Sequence, residues 1–137
     1  MHDDEMKYIK EAFDTNWVAP LGKNVDGFES DMVKYLGGDY YAAALTSGTA
    51  AIHLALILCG VKRDDIVFGS SLTFAATVNP ITYLCADPVF IDSEYDSWNM
   101  DPKALERAFD KYPGVKAVIS ANLYGTPAKL REIKDIC

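Results

Sequence analysis

Cysteine is scarce in this sequence: three residues, at positions 59, 85 and 137, form neither a CxxC pair nor a metal-ligand spacing. An odd, widely spaced set gives no disulfide framework and suits a reduced cytoplasm. The expected roles are two small apolar core residues and one terminal thiol. Basic charge is also short. Thirteen Lys and Arg face twenty Asp and Glu, for a formal charge of −7. Nucleic acid is thereby disfavoured as a partner, because a phosphate backbone demands clustered Lys and Arg. Long hydrophobic runs are missing too. The longest, over residues 50–60, contains His53 and is too short to span a bilayer. The opening MHDDEMK is polar and acidic, unlike a signal peptide. These absences predict a soluble, cytoplasmic protein with no membrane partner and no metal site.

What is present is an ordinary globular balance, 50% hydrophobic and 24% charged over 137 residues, enough for a compact domain with a real core. There is no internal repeat, low-complexity tract or linker. Helical spacing of Met6, Ile9 and Phe13 predicts a helix over residues 3–15, and Phe28, Met32, Tyr35 and Leu36 predict another over 26–36. Gly37 and Gly38 end the second, as glycines past a helix C-terminus do. Residues 40–45 read as a short buried strand, followed by the turn Thr46-Ser47-Gly48-Thr49 and a helix over 50–59. Further strands are expected over 66–69, 88–92 and 115–121. Further helices are expected over 73–84, 102–111 and 128–136, the first of them kinked by Pro80 or starting near it. Asp101-Pro102 pairs a good N-cap with a residue suited to the first helical turn. Apolar strands alternating with helices predict a three-layer α/β/α fold with a mostly parallel sheet.

The turn at residues 46–49 is the most informative segment. Glycine lets a backbone approach a ligand closely, and the first N–H groups of the following helix have no internal partner. The helix dipole favours an anion there, and Ser47 and Thr49 add hydroxyls. On spacing alone the turn serves either as a phosphate site or as a plain helix cap. It carries neither GxGxxG nor GxxxxGK[ST], which leaves no fingerprint of a nicotinamide-binding oxidoreductase or a P-loop. Phe74, after the next strand, falls at the C-terminal rim where open α/β sheets bind ligands. It reads as a stacking platform or as core.

Six ordered segments then resemble the DegT/DnrJ/EryC1/StrS family of sugar aminotransferases: NWVAPLG from Asn16, SGTAAIHLAL from Ser47, TFAAT from Thr73, DPVFID from Asp87, WNMDP from Trp98 and LYGTPA from Leu123. The resemblance implies the large domain of a fold-type I, pyridoxal 5'-phosphate (PLP)-dependent transferase. Residues 1–137 would be its N-terminal segment plus the first part of the PLP-binding domain, with the small C-terminal domain absent. It further implies a homodimer that moves an amino group, typically from glutamate, to a keto carbon of a nucleotide-linked sugar, in amino-sugar biosynthesis. Ser47, Gly48 and Thr49 would hold the cofactor phosphate and Phe74 would stack on its ring. Trp17, Ala19, Pro20, Leu21 and Gly22 would line the sugar-nucleotide pocket, or else form an ordered connector around a packed Trp. Asn122 and Tyr124 would also face substrate. Asn122 stands where the family often has His, which removes a group able to titrate near neutral pH.

PLP chemistry needs a lysine for covalent attachment, an acid for the ring nitrogen and a phosphate anchor. The resemblance puts the lysine and the acid beyond Cys137, so no catalytic residue is expected within the chain, and transamination by it alone is not expected. None of the lysines present has an apolar setting that would make it nucleophilic. The first strand of this fold lies across the sheet from the next three, so residues 40–45 would lack their usual neighbours and leave exposed strand edges. Two alternatives stay open. A non-catalytic remnant or regulatory module would keep the same motifs, and some relatives are dehydratases that use a related cofactor without the lysine.

Overall fold

The computed structural model describes residues 4–137 and divides the chain into two compact units that meet in sequence at Leu45 and Thr46. The first carries two helices, α1 (Glu5–Asp14) and α2 (Lys23–Tyr35), neither with a buried residue. α1 ends where the Thr15 N–H and hydroxyl both bond the Glu11 carbonyl. The α2 helix starts three residues earlier than its periodicity suggests, because Gly22 ends the preceding loop and Lys23 pairs with Glu11. Gly37 and Gly38, both at positive φ, close α2 with bonds to the carbonyls of Lys34 and Val33. The expected first residue of the α1 helix, Asp3, lies outside the described residues.

Residues 40–45 are not a strand. No ladder bond reaches them among the described residues; the Ala44 N–H donates to the Glu29 carboxylate at 2.7 Å, and Tyr41 is fully exposed. An apolar segment becomes a strand only when a neighbour takes up its backbone groups.

The second unit is α/β. Its elements are α3 (Gly48–Leu58), β1 (Ile66–Ser70), α4 (Asn79–Tyr83), β2 (Asp87–Ile91), α5 (Pro102–Lys111), β3 (Ala117–Ile119) and α6 (Leu130–Ile136). The sheet is entirely parallel in the order β2-β1-β3, with Phe68 opposite Val89 on one side and Val118 on the other. Side-chain alternation along β1 sends neighbouring residues to opposite faces. Phe68 packs with Ile91, Met100, Leu105 and Ile133 under α5 and α6. Val67 packs with Leu56, Val61, Ile81 and Ala86 under α3 and α4. The sheet is covered on both faces, as a parallel sheet requires. Full burial of Phe68 contributes about 2–3 kcal/mol of apolar transfer.

Three expectations are corrected here. The helix over 73–84 is a single 3-10 turn (Ala75–Thr77) followed by the short α4. Phe74 is extended, and Pro80, which can occupy only a first turn, sits at the start of α4. The strand over 115–121 shrinks to Ala117–Ile119, since it pairs with β1 only over those residues. Cys59 and Cys85 are not core residues, since both are exposed in turns; the terminal Cys137 is exposed, as a terminal thiol was expected to be. Asp101 does cap α5, accepting from the Lys103 N–H at 3.0 Å.

Candidate functional site

The turn at the head of α3 is built by Ser47. Its backbone is extended, its carbonyl accepts from Ala51, and its hydroxyl oxygen accepts from the Ala50 N–H at 3.2 Å. Two of the helix's leading N–H groups are thereby spent. Those of Gly48 and Thr49 have no bond among the described residues, and an uncompensated helix N-terminus attracts an anion. Gly48 is not at positive φ, so the backbone does not demand glycine. A Cβ built there meets nothing within 4 Å. The approach to this end of α3 is open.

The sequence left Ser47 between helix cap and phosphate ligand, and the geometry makes it the cap. Its O–H is still available to donate, because the capping bond uses only a lone pair.

Phe74 is 81% exposed, which rules out the core role. It lies just before the 3-10 turn that packs against α3, so the head-of-helix turn and the aromatic belong to one unit. Phe74, Leu72 and Thr73 form one side of a cavity of about 490 Å³; Asn122, Leu123 and Tyr124 form another. The structure thus gathers three sequence-predicted residues, Phe74, Asn122 and Tyr124, around one space. Tyr124 is 97% exposed and sits at φ 50°, ψ 30°, a left-handed conformation costly for a side chain of its size. Asn122 turns its carboxamide oxygen to the Ala128 N–H at 3.0 Å, which fixes its orientation and leaves its N–H groups free to donate.

Trp17, Ala19, Leu21 and Gly22 line a cavity of about 640 Å³ within the first unit. The Trp17 indole N–H donates to the Leu21 carbonyl at 2.5 Å. Gly22, at φ 132°, lies so close that a Cβ there would fall 2.0 Å from the indole nitrogen. The loop is therefore ordered around its own tryptophan. Pro20 belongs to the same loop.

A polar cluster missed by sequence reasoning supports the Asn122–Tyr124 side. Asn99, 2% exposed, accepts from the Leu123 N–H at 2.8 Å and donates to the Thr126 carbonyl at 2.9 Å. Glu94, 8% exposed, accepts from the Ser97 hydroxyl and from the N–H groups of Asp96 and Ser97. Lys129 adds a further bond to Glu94 at 3.3 Å. The Ser97 hydroxyl and those backbone donors hold the Glu94 carboxyl down at about 2, against the desolvation that opposes it. Asn99 lies inside a segment that carries the family resemblance, but nothing local shows that its partners lie twenty-four and twenty-seven residues on.

Lys129, expected inside the last helix, stands instead at the N-cap position of α6 and makes no side-chain capping bond there. Its ammonium pairs with Asp96 and Glu94, which raise its pKa; Glu11 does the same for Lys23. Both are held cationic, opposite to what a nucleophilic lysine needs. His53 packs edge-on to Tyr83 at 5.6 Å. Among the described residues, no three His, Cys, Asp or Glu are grouped to hold a metal ion, and no helix is long and apolar enough to cross a membrane.

The three-layer unit, with an open helix N-terminus and an exposed aromatic, is part of the fold-type I architecture of PLP-dependent transferases, as its solved relatives show. The chain belongs to the DegT/DnrJ/EryC1/StrS aminotransferase family, whose model matches residues 1–137. It is 55% identical to a Bacillus subtilis protein named "Putative pyridoxal phosphate-dependent aminotransferase EpsN", over 100% of this chain and 36% of that one. It is 32% identical to GDP-perosamine synthase of Escherichia coli O157:H7, over 96% of this chain and 35% of that protein. Its fold superposes with a TM-score of 0.86 on a GDP-4-keto-6-deoxymannose-3-dehydratase solved with a trapped PLP-glutamate geminal diamine, at 26% identity over 98% of this chain and 36% of that chain. The chain spans about a third of the length of these relatives.

Proposed function

We propose that residues 46–137 receive the phosphate and ring of PLP in an aminotransferase that acts on a nucleotide-linked keto sugar with glutamate as amino donor. The observation that carries this reading is the pair of unspent N–H groups at Gly48 and Thr49, in one unit with the exposed ring of Phe74. The residues fit the cofactor. The approach to Gly48 is open to a phosphate, the Thr49 and Ser47 hydroxyls can each donate to it, and Phe74 offers a face to a planar heterocycle. Bound there, PLP supplies the electron sink that makes amino transfer possible.

The chain's own residues then anchor and orient. The α3 terminus holds the dianion, Phe74 limits tilt of the ring, and Asn122 and Tyr124 present polar groups beside it. The Trp17–Gly22 loop, preformed by its internal hydrogen bond, is the proposed sugar-nucleotide contact. The lysine and acid of the chemistry are proposed to come from residues outside 1–137, the small domain likewise, and the working form is a cytoplasmic homodimer.

The likeness to a dehydratase favours one second reading, loss of a sugar hydroxyl instead of gain of an amine. A chimera tests whether residues 1–137 can serve amino transfer. Residues 1–137 replace the matching third of the Bacillus subtilis relative, and the product is examined by mass after supply of ¹⁵N-glutamate and a nucleotide keto sugar. Label in the sugar supports the reading that residues 1–137 serve amino transfer, and no product where the intact relative is active would refute it.

A further inference from the structure

We propose that Asn99 is a positioning residue for this site: its carboxamide fixes the Leu123–Gly125 turn, and so the side of the cavity carrying Tyr124. The claim rests on the reading that this unit receives the cofactor. Asn99 spends both ends of its carboxamide on the turn, accepting from Leu123 N–H at 2.8 Å and donating to Thr126 C=O at 2.9 Å. The two bonds bracket Tyr124 and Gly125. Between them the turn closes on itself, Gly125 N–H to Asn122 C=O and Thr126 N–H to Leu123 C=O.

That bracket is needed because Tyr124 sits in a left-handed conformation that an unrestrained tyrosine abandons. Its side chain is exposed, so no packing holds it there. Asn99 is itself held on several sides. It is almost fully buried, its amide N–H and Nδ2 reach the Ser97 hydroxyl, and its carbonyl accepts from the Glu94 N–H. The Glu94–Ser97 turn is tied in its place by Lys129. The carboxamide offers a donor and an acceptor in one plane on a short side chain. A carboxylate would keep the bond to Leu123 and turn an oxygen against the Thr126 carbonyl.

The test uses the full chain, amide hydrogen exchange and titration with pyridoxamine 5'-phosphate, which needs no lysine attachment. For Asn99→Ala, the amides of Leu123, Gly125 and Thr126 should exchange about tenfold faster while Phe68 and Gly69 in β1 keep their protection. Pyridoxamine 5'-phosphate affinity should fall by a similar factor. Leu105→Ala, a core cavity elsewhere in the same unit, serves as the purely structural benchmark and should loosen β1 without singling out the turn. Should Asn99→Ala not fold, Asn99→Asp, of nearly equal volume, should loosen the same turn, most at the Thr126 end, where the donor is lost. An Asn99 variant indistinguishable from Leu105→Ala, or one with a loosened turn and unchanged affinity, would overturn the role of Asn99. A parent chain that ignores pyridoxamine 5'-phosphate would instead overturn the cofactor reading, and the role with it.

Discussion

Lys129 Nζ lies 3.3 Å from Glu94 Oε2 and 3.2 Å from Asp96 Oδ2, tying the approach to α6 to the turn that follows β2. The carboxyl of Glu94 falls from its ordinary 4.5 to about 2 in the fold, led by the Ser97 hydroxyl. A depressed carboxylate stabilises the fold above its unfolded pKa and loses that contribution as pH falls through the folded value. The parent chain should therefore be more stable than Glu94→Gln at pH 5 and above. The difference in urea midpoint should shrink between about pH 4.5 and 2. A difference that stays constant across that range would remove Glu94 from the cluster's electrostatics.

Ser47 and Thr49 should separate in stability. Ser47→Ala removes a helix cap and should cost about 1 kcal/mol of stability without ligand, and it should weaken binding as well because its hydroxyl also faces the phosphate. Thr49→Ala removes no internal bond of the described chain. It should leave the urea midpoint in place while weakening binding of pyridoxamine 5'-phosphate by about 1.5 kcal/mol, roughly tenfold. Equal stability losses in the two variants would show that Thr49 is structural.

Two phenylalanines test the division between core and rim. Phe68→Ala empties a fully buried position and should cost about 3–5 kcal/mol. Phe74→Ala, at an exposed position, should stay within about 0.5 kcal/mol of the parent in stability and lose ring binding instead. A large stability loss from Phe74→Ala in chemical denaturation would return that residue to a packing role.

In the first unit, Gly22→Ala puts a methyl against the Trp17 indole at a φ of 132°. The loop should open, at a cost of about 1–3 kcal/mol in local strain. Measured in a Trp98→Phe background, Trp17 fluorescence should shift toward that of a solvated indole. An unchanged spectrum would mean that Trp17 does not order this loop.

Much of the second unit was legible because buried parallel strands appear as continuous apolar runs, and residues 66–69 and 88–92 stand out on that ground alone. Asp101-Pro102 announced α5 through two local signals, cap and proline, that need no tertiary information. Residues 40–45 were misread because a strand is a relation between two segments, and sequence periodicity supplies only one of them. Pro80 marked a boundary, but no local signal announced the extended backbone of Phe74 that shortens the segment. Gly48 and Thr49 were readable as a helix start from their glycine turn, and Phe74 as a residue just past β1. Asn99 was not, since a buried carboxamide is defined by distant partners.

Titration calorimetry of the 137-residue chain with pyridoxamine 5'-phosphate, unphosphorylated pyridoxamine and inorganic phosphate tests the central claim most directly. The account predicts binding of the phosphorylated ring, competition by phosphate alone, and affinity for pyridoxamine lower by at least about tenfold, as loss of a charge-assisted anchor implies. A folded chain that binds neither phosphate compound, or that binds pyridoxamine as well as its phosphate ester, would contradict it.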